Sequence, residues 1–149
     1  MDGLRDLPLV EQFEEIQKAW DNCRHLAIRS PTGSGKSIGL PTLLFQKKMV
    51  EGQIFVVQPR RIAARLLARR VAALLGCEVG REVGYQVRFD KKYSDQTKIV
   101  YLTDGILLNK LLSDPTLSRV GLVIFDEFHE RSLQIDLALA LSKKLAFSQ

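Results

Sequence analysis

Residues Ser30 to Ser37 read Ser-Pro-Thr-Gly-Ser-Gly-Lys-Ser, with a short apolar run, His25-Leu26-Ala27-Ile28, before them and a helix-like stretch, Ile38 to Val50, after them. A strand, a glycine turn and a helix in that order leave few folds open, because the loop then sits at a strand end and opens onto a helix amino terminus. Gly33 and Gly35 tolerate φ > 0, so the backbone can curl its N–H groups around an anion while the helix adds its positive end. Pro31, Thr32, Gly33, Ser34 and Gly35 are therefore the candidate phosphate cradle. Lys36 supplies a point charge for the β and γ phosphates, and Ser37 a hydroxyl for Mg²⁺. The strict pattern G-x4-G-K-[ST] wants glycine where this chain has Ser30, a departure that the flanking strand and helix offset.

The second informative segment lies far downstream, where Leu122-Val123-Ile124-Phe125 runs into Asp126-Glu127-Phe128-His129. An apolar run without polar alternation predicts a parallel strand covered on both faces. Asp126, at its carboxyl end, is placed to hold a Mg²⁺ shell. Glu127 is a second acid for that shell and the group that orients or deprotonates an attacking water. Alone, two acids after a strand are as readily a solvated turn. With the glycine loop upstream they complete a nucleoside-triphosphate site, in which Lys36 and Glu127 are the catalytic candidates.

Between these segments the periodicity alternates strand and helix. Val10 to Cys23 has helical spacing, with Trp20 on its apolar face and so expected in the core. Ile54 to Val57 reads as a buried strand, and Ile62 to Leu75 as a helix closing on Gly76. Gly84 to Phe89 and Lys98 to Leu102 read as strands around a polar loop, Asp90 to Gln96, and Asp104 to Leu112 and Leu133 to Phe147 as helices. Such alternation implies an α/β fold with a mainly parallel sheet covered by helices. With 149 residues and 46% hydrophobic content the chain is one domain with enough apolar surface for a core.

Asp126-Glu127-Phe128-His129-Glu130-Arg131-Ser132 resembles the Asp-Glu-Ala-His box of the DEAH/RHA helicases of superfamily 2, with Phe128 in the alanine place. The Phe form, followed by Ser-Leu-x-x-Asp-Leu-Ala-Leu-Ala-Leu, resembles the bacterial HrpB-type helicases in particular. Gln58-Pro59-Arg60-Arg61-Ile62-Ala63-Ala64 is similar to the family's motif Ia, Thr103-Asp104-Gly105-Ile106-Leu107 to its motif Ib, and Val83 to Phe89 to a further DEAH segment. The resemblance implies a RecA-like P-loop NTPase three-layer fold, ATP and Mg²⁺ as ligands, and movement along single-stranded nucleic acid, with RNA favoured over DNA and both left open by the residues themselves.

The same resemblance implies that residues 1–149 are a partial N-terminal RecA-like domain, incomplete at its C-terminal end, without the Ser-Ala-Thr strand and the second RecA-like domain of the family. That strand belongs between the glycine-loop strand and the acidic-box strand, so a gap of about two strand spacings, ~9–10 Å, and marginal stability are expected. Arginines of the second domain would complete the transition-state clamp, which leaves the isolated chain with weak nucleotide binding and negligible turnover.

Arg60 and Arg61 follow the carboxyl end of a strand, where α/β sheets place ligands, and a guanidinium grips a phosphate bidentately. Thr103, Asp104 and Gly105 occupy the equivalent place after another strand, with a hydroxyl and backbone N–H groups suited to a phosphate oxygen. Arg65, Arg69 and Arg70 continue the basic helix, either as a solvated face or, by resemblance, with Arg70 stacked on adenine. His129 is a hydrogen-bonded turn residue or, by resemblance, couples the site to the second domain. Tyr85 and Arg88 read as strand-face packing and a surface charge.

A net charge of +5 and a sequence pI near 9.4 favour a polyanionic partner. Cys23 and Cys77 lack metal-ligand or disulfide-framework spacing, which suits a reducing cytoplasm. No apolar run approaches the ~18–20 residues of a membrane span, and the first residues hold no signal-peptide core. A GTPase would need an Asn-Lys-x-Asp reader, which is absent. The competing class is a truncated, non-catalytic nucleic-acid-binding module, with salt-steep and ATP-independent binding.

Overall fold

The computed structural model describes residues 8–23, 25–28, 35–129 and 132–148. Three neighbouring strands run parallel: β4 (Ile99–Thr103), β1 (Gln53–Gln58) and β5 (Val120–Phe125). β2 (Val83–Val87) lies parallel to β4, and β3 (Asp90–Lys92) runs antiparallel on β2, giving the order β3-β2-β4-β1-β5. The helices are α1 (Pro8–Trp20), α2 (Lys36–Gln46), α3 (Arg61–Leu75), α4 (Asp104–Ser113) and α5 (Leu133–Ser148). This is the expected three-layer α/β arrangement.

The period-2 alternation of the strands sorts the core into two clusters. Ile54 and Val56, with Ile99 and Tyr101, pack on one face against Phe13, Leu44 and Val71 of α1, α2 and α3. Phe55 and Val57, with Val100 and Leu102, pack on the other against Leu107 and Leu111 of α4 and Ala138 of α5. Both faces of β1 and β4 are thus covered, which is why these strands read as apolar runs without alternation. α3 closes on Gly76 at φ 67°, a left-handed conformation that a Cβ would strain, as its sequence predicts.

Four expectations need correction. Residues 25–28 carry no regular secondary structure, although Leu26 and Ile28 pack against the first cluster. A strand requires a ladder partner, and the described ladder ends at β5. β5 itself is only half-buried, because it lies at the edge of the sheet rather than inside it. The loop expected from Asp90 contains β3, a short edge strand whose exposed lysines hide it from an apolar pattern and blunt its edge. Trp20 is half-buried at the end of α1 and lies outside both clusters.

No strand among the described residues pairs with the outer edge of β5, so its N–H and C=O groups there meet no ladder. The expected consequence is marginal stability, read as a low or broad thermal transition by circular dichroism. A high, cooperative transition in a chain shown to be monomeric would contradict it.

Candidate nucleotide site

Strand register assembles the site before any side chain is considered. Gln58 pairs with Thr103, and Val57 with Phe125, so Gln58, Thr103 and Asp126 stand level at the carboxyl edge of three adjacent strands. The Asp126 N–H donates to the Val57 carbonyl at 3.1 Å, carrying the ladder one residue further and fixing the acid's position. Open α/β sheets hold their ligands at this edge.

α2 starts at Lys36, directly after Gly35 at φ 81°, and no side chain caps it. Gly35 thus takes the left-handed backbone that its sequence predicts, and the start of α2 presents its positive end uncapped by a side chain. Gly35, Lys36 and Ser37 are described; Pro31, Thr32, Gly33 and Ser34 of the candidate cradle lie outside the described residues.

The Ser37 hydroxyl donates to Asp126 Oδ2, joining positions 89 residues apart in sequence. The same carboxylate oxygen accepts a hydrogen bond from Gln58 Nε2 at 2.6 Å, and Asp126 Oδ1 accepts one from the Glu127 N–H at 3.0 Å. Two hard oxygen groups meeting at the start of α2 fit Mg²⁺, which takes one or two protein oxygens and completes its shell with water and phosphate.

Glu127 adopts φ 54°, a conformation that costs a residue with a Cβ on the order of 1–3 kcal/mol and that recurs at functional sites. Its Oε2 lies 3.1 Å from His129 Nε2, so His129 pairs with Glu127 within the turn. A cleft of about 420 Å³ opens here, lined by Ser37, Gln58, Arg60, Leu66 and Glu127 among others.

Two residues of this constellation were not singled out from sequence. Gln58 is the polar end of the Ile54–Val57 run, and Tyr101 is the one hydroxyl-bearing aromatic of its strand. The Tyr101 phenol is wholly buried and donates to the Ser37 carbonyl at 2.6 Å. Burial first, and then the charge of Asp126, push its ionisation far above the usual range, so it remains a donor. A lone polar group within an apolar strand was the available signal.

The expected nucleic-acid residues divide. Arg60 is the N-cap residue of α3, with extended backbone, and is exposed beside Arg61 just past β1. Thr103 is buried at the end of β4. Asp104, however, is committed: its Oδ1 accepts from the Gly105 N–H at 2.8 Å and its Oδ2 from the Ser132 hydroxyl at 2.9 Å. Ser132 Oγ in turn accepts from the Ile135 N–H at 3.1 Å, capping α5. The Gly105 amide, expected to be open to phosphate, is therefore already engaged, and Asp104 ties the start of α4 to the start of α5.

Arg65 pairs with Asp90 at 3.1 Å rather than extending a free basic face, and the Tyr85 phenol donates to the same carboxylate at 2.9 Å. Arg88 stacks on exposed Phe89, 4.9 Å from its ring centre. Arg70 is exposed on α3, roughly 13 Å along the helix axis from Arg61.

A mainly parallel sheet with a lysine-serine helix start meeting an acidic pair at the end of β5 is the α/β arrangement expected of a mononucleotide site. The DEAD/DEAH box helicase family model matches residues 11–143, and the chain belongs to that family. It is similar to the ATP-dependent RNA helicase HrpB of Escherichia coli, 44% identical over 138 residues that make up 93% of this chain and 17% of that protein. It is also similar to the probable ATP-dependent RNA helicase DHX40 of Homo sapiens, 43% identical over 139 residues, 93% of this chain and 18% of that one. The crystal structure of the E. coli DEAH/RHA helicase HrpB matches with a TM-score of 0.89 at 43% identity, over 94% of this chain and 18% of that chain. The fold is therefore the RecA-like one expected. The chain spans less than a fifth of the length of these relatives. No helix among the described residues is long and apolar enough to cross a membrane.

Proposed function

We propose that residues 1–149 form the ATP-binding part of the N-terminal RecA-like domain of an ATP-dependent RNA helicase of the cytoplasm, which hydrolyses ATP to move on single-stranded RNA. The observation that carries this reading is the meeting of Ser37, Asp126 and Gln58 at the uncapped start of α2.

Lys36 and the amides that follow Gly35 bind and neutralise phosphate oxygens. Ser37 and Asp126, with Glu127 beside them, would hold Mg²⁺, which when bound offsets the charge developing on the transferred phosphoryl group. Gln58 fixes the Asp126 carboxylate, so that its orientation is set before ligand arrives. Glu127, which lines the cleft, takes a proton from water in this reading, and His129 beside it steadies its carboxylate. Arg60, Arg61 and Thr103, at the same sheet edge, grip the phosphates of the strand without reading its bases. Asp104 and Gly105 support that contact through the α4–α5 tie. Arg70 stacks on adenine in this reading, and His129 also relays the nucleotide state to the second RecA-like domain.

Titration with a fluorescent Mg²⁺–ATP analogue tests the proposal. Lys36→Ala should weaken binding on the order of 10- to 100-fold, the worth of a charged hydrogen-bonding group, while salt-dependent binding to single-stranded RNA persists. Unchanged nucleotide affinity with RNA binding intact would mark the chain as a nucleic-acid-binding module instead.

A further inference from the structure

Pro41 lies buried inside α2, four residues after Ser37. Proline has no N–H, so the carbonyl four residues before it loses its helical donor, and the pyrrolidine ring crowds that carbonyl as well. The carbonyl concerned belongs to Ser37, the residue whose hydroxyl meets Asp126. A defect in the helix ladder thus falls on the residue facing the metal position.

The missing donor comes from the sheet. Tyr101, in the middle of β4 and fully buried, donates its phenol O–H to the Ser37 carbonyl at 2.6 Å. β4 neighbours β1, whose terminal Gln58 holds Asp126. Both halves of the Ser37–Asp126 pair are therefore tied to adjacent strands, one through Tyr101 and the other through Gln58.

We propose that Tyr101 is a positioning residue of the nucleotide site: its phenol replaces the N–H that Pro41 lacks, clamps the first turn of α2 to β4, and so holds the Ser37 hydroxyl at Asp126. Pro41 makes the clamp necessary. With an N–H at position 41 the helix would satisfy the Ser37 carbonyl by itself, and the first turn would need less from the sheet. The proposal rests on the reading of Ser37 and Asp126 as the Mg²⁺ pair.

A double-mutant cycle tests it, with Tyr101→Phe, Pro41→Ala and the pair, in the whole chain. The readouts are ATP-analogue affinity with and without Mg²⁺, the Mg²⁺ concentration at half-saturation, and the thermal midpoint. Tyr101→Phe should raise the Mg²⁺ half-saturation about fivefold, the worth of one hydrogen bond, and leave Mg²⁺-free affinity nearly unchanged. In the Pro41→Ala background the same substitution should move neither by as much as about twofold. Equal effects in both backgrounds, or equal losses with and without Mg²⁺, would overturn the proposal. If Tyr101→Phe alone fails to fold, the pair should restore folding, and failure to do so counts against the clamp. Absence of any Mg²⁺-dependent binding by the unmodified chain would overturn both the nucleotide reading and the positioning role. Binding without coupling between the two sites would remove the positioning role alone.

Discussion

Steady-state phosphate release from Mg²⁺–ATP by the 149-residue chain should run on the order of 10³–10⁵ times slower than release by a chain extended over the length of its relatives. In the proposed reading the described residues supply one side of the reaction. Ser37 and Asp126 meet in the first turn of α2, which Lys36 opens, and Glu127 lines the cleft. A phosphoryl-transfer transition state spreads charge over three equatorial oxygens, and catalysis of it is positioning plus electrostatic stabilisation. The resemblance to DEAH/RHA helicases implies opposing cations on a second RecA-like domain, and an arginine finger of that kind is worth the expected difference between the two chains. Release by the 149 residues within tenfold of the extended chain, stimulated by single-stranded RNA, would show that this half-site is catalytically complete.

Glu127→Gln in the extended chain should lower turnover on the order of 10²–10⁴-fold, the usual worth of general acid–base catalysis, while nucleotide affinity changes only a few-fold. The amide keeps the length and planarity of the carboxylate and can still take part in a hydrogen bond with His129, so the local shape survives. What it loses is the capacity to accept a proton from water. Single-turnover measurements with bound ATP separate the two quantities. A fall in affinity parallel to the fall in rate would make Glu127 a metal or phosphate anchor rather than the base.

Much of the candidate site was legible because the chemistry it offers resides in short, ordered motifs. Gly35 needs a left-handed backbone, Lys36 and Ser37 follow at the helix start, and Asp126 and Glu127 follow an apolar strand; each requirement is local and leaves a mark in residue type. The fold class was legible for a similar reason, since runs such as Ile54–Val57 and the alanine-leucine helix after Ile62 declare their buried faces through period and composition. Gln58 and Tyr101 were not, because nothing local distinguishes a polar residue that satisfies a distant partner from one that merely ends or interrupts a strand. Tyr101 reaches the Ser37 carbonyl only because β4 packs beside α2, which also carries Pro41.

The acidic strand and the 25–28 run show the opposite error. Both are apolar enough to suit interior strands, yet β5 lies at the sheet edge and residues 25–28 form no strand at all. Hydrophobicity measures a segment's tendency to leave water, whereas strand formation depends on a neighbour offering its N–H and C=O groups, and that neighbour is a property of topology. Asp104 and Gly105 follow the same logic. Their motif suggests a phosphate contact, but a carboxylate with a serine hydroxyl in reach satisfies itself first.

By itself the sequence determined the class of the fold, the family, and the residue types of a phosphate cradle and an acidic pair, because these depend on backbone permission and on charge carried by single residues. Only the tertiary structure decided which oxygen faces which, that Gln58 and Tyr101 hold the two halves of the candidate site, and that β5 ends the sheet of the described strands. Those facts depend on the register of parallel strands, and register is set by the packing of the whole sheet between its two helical layers.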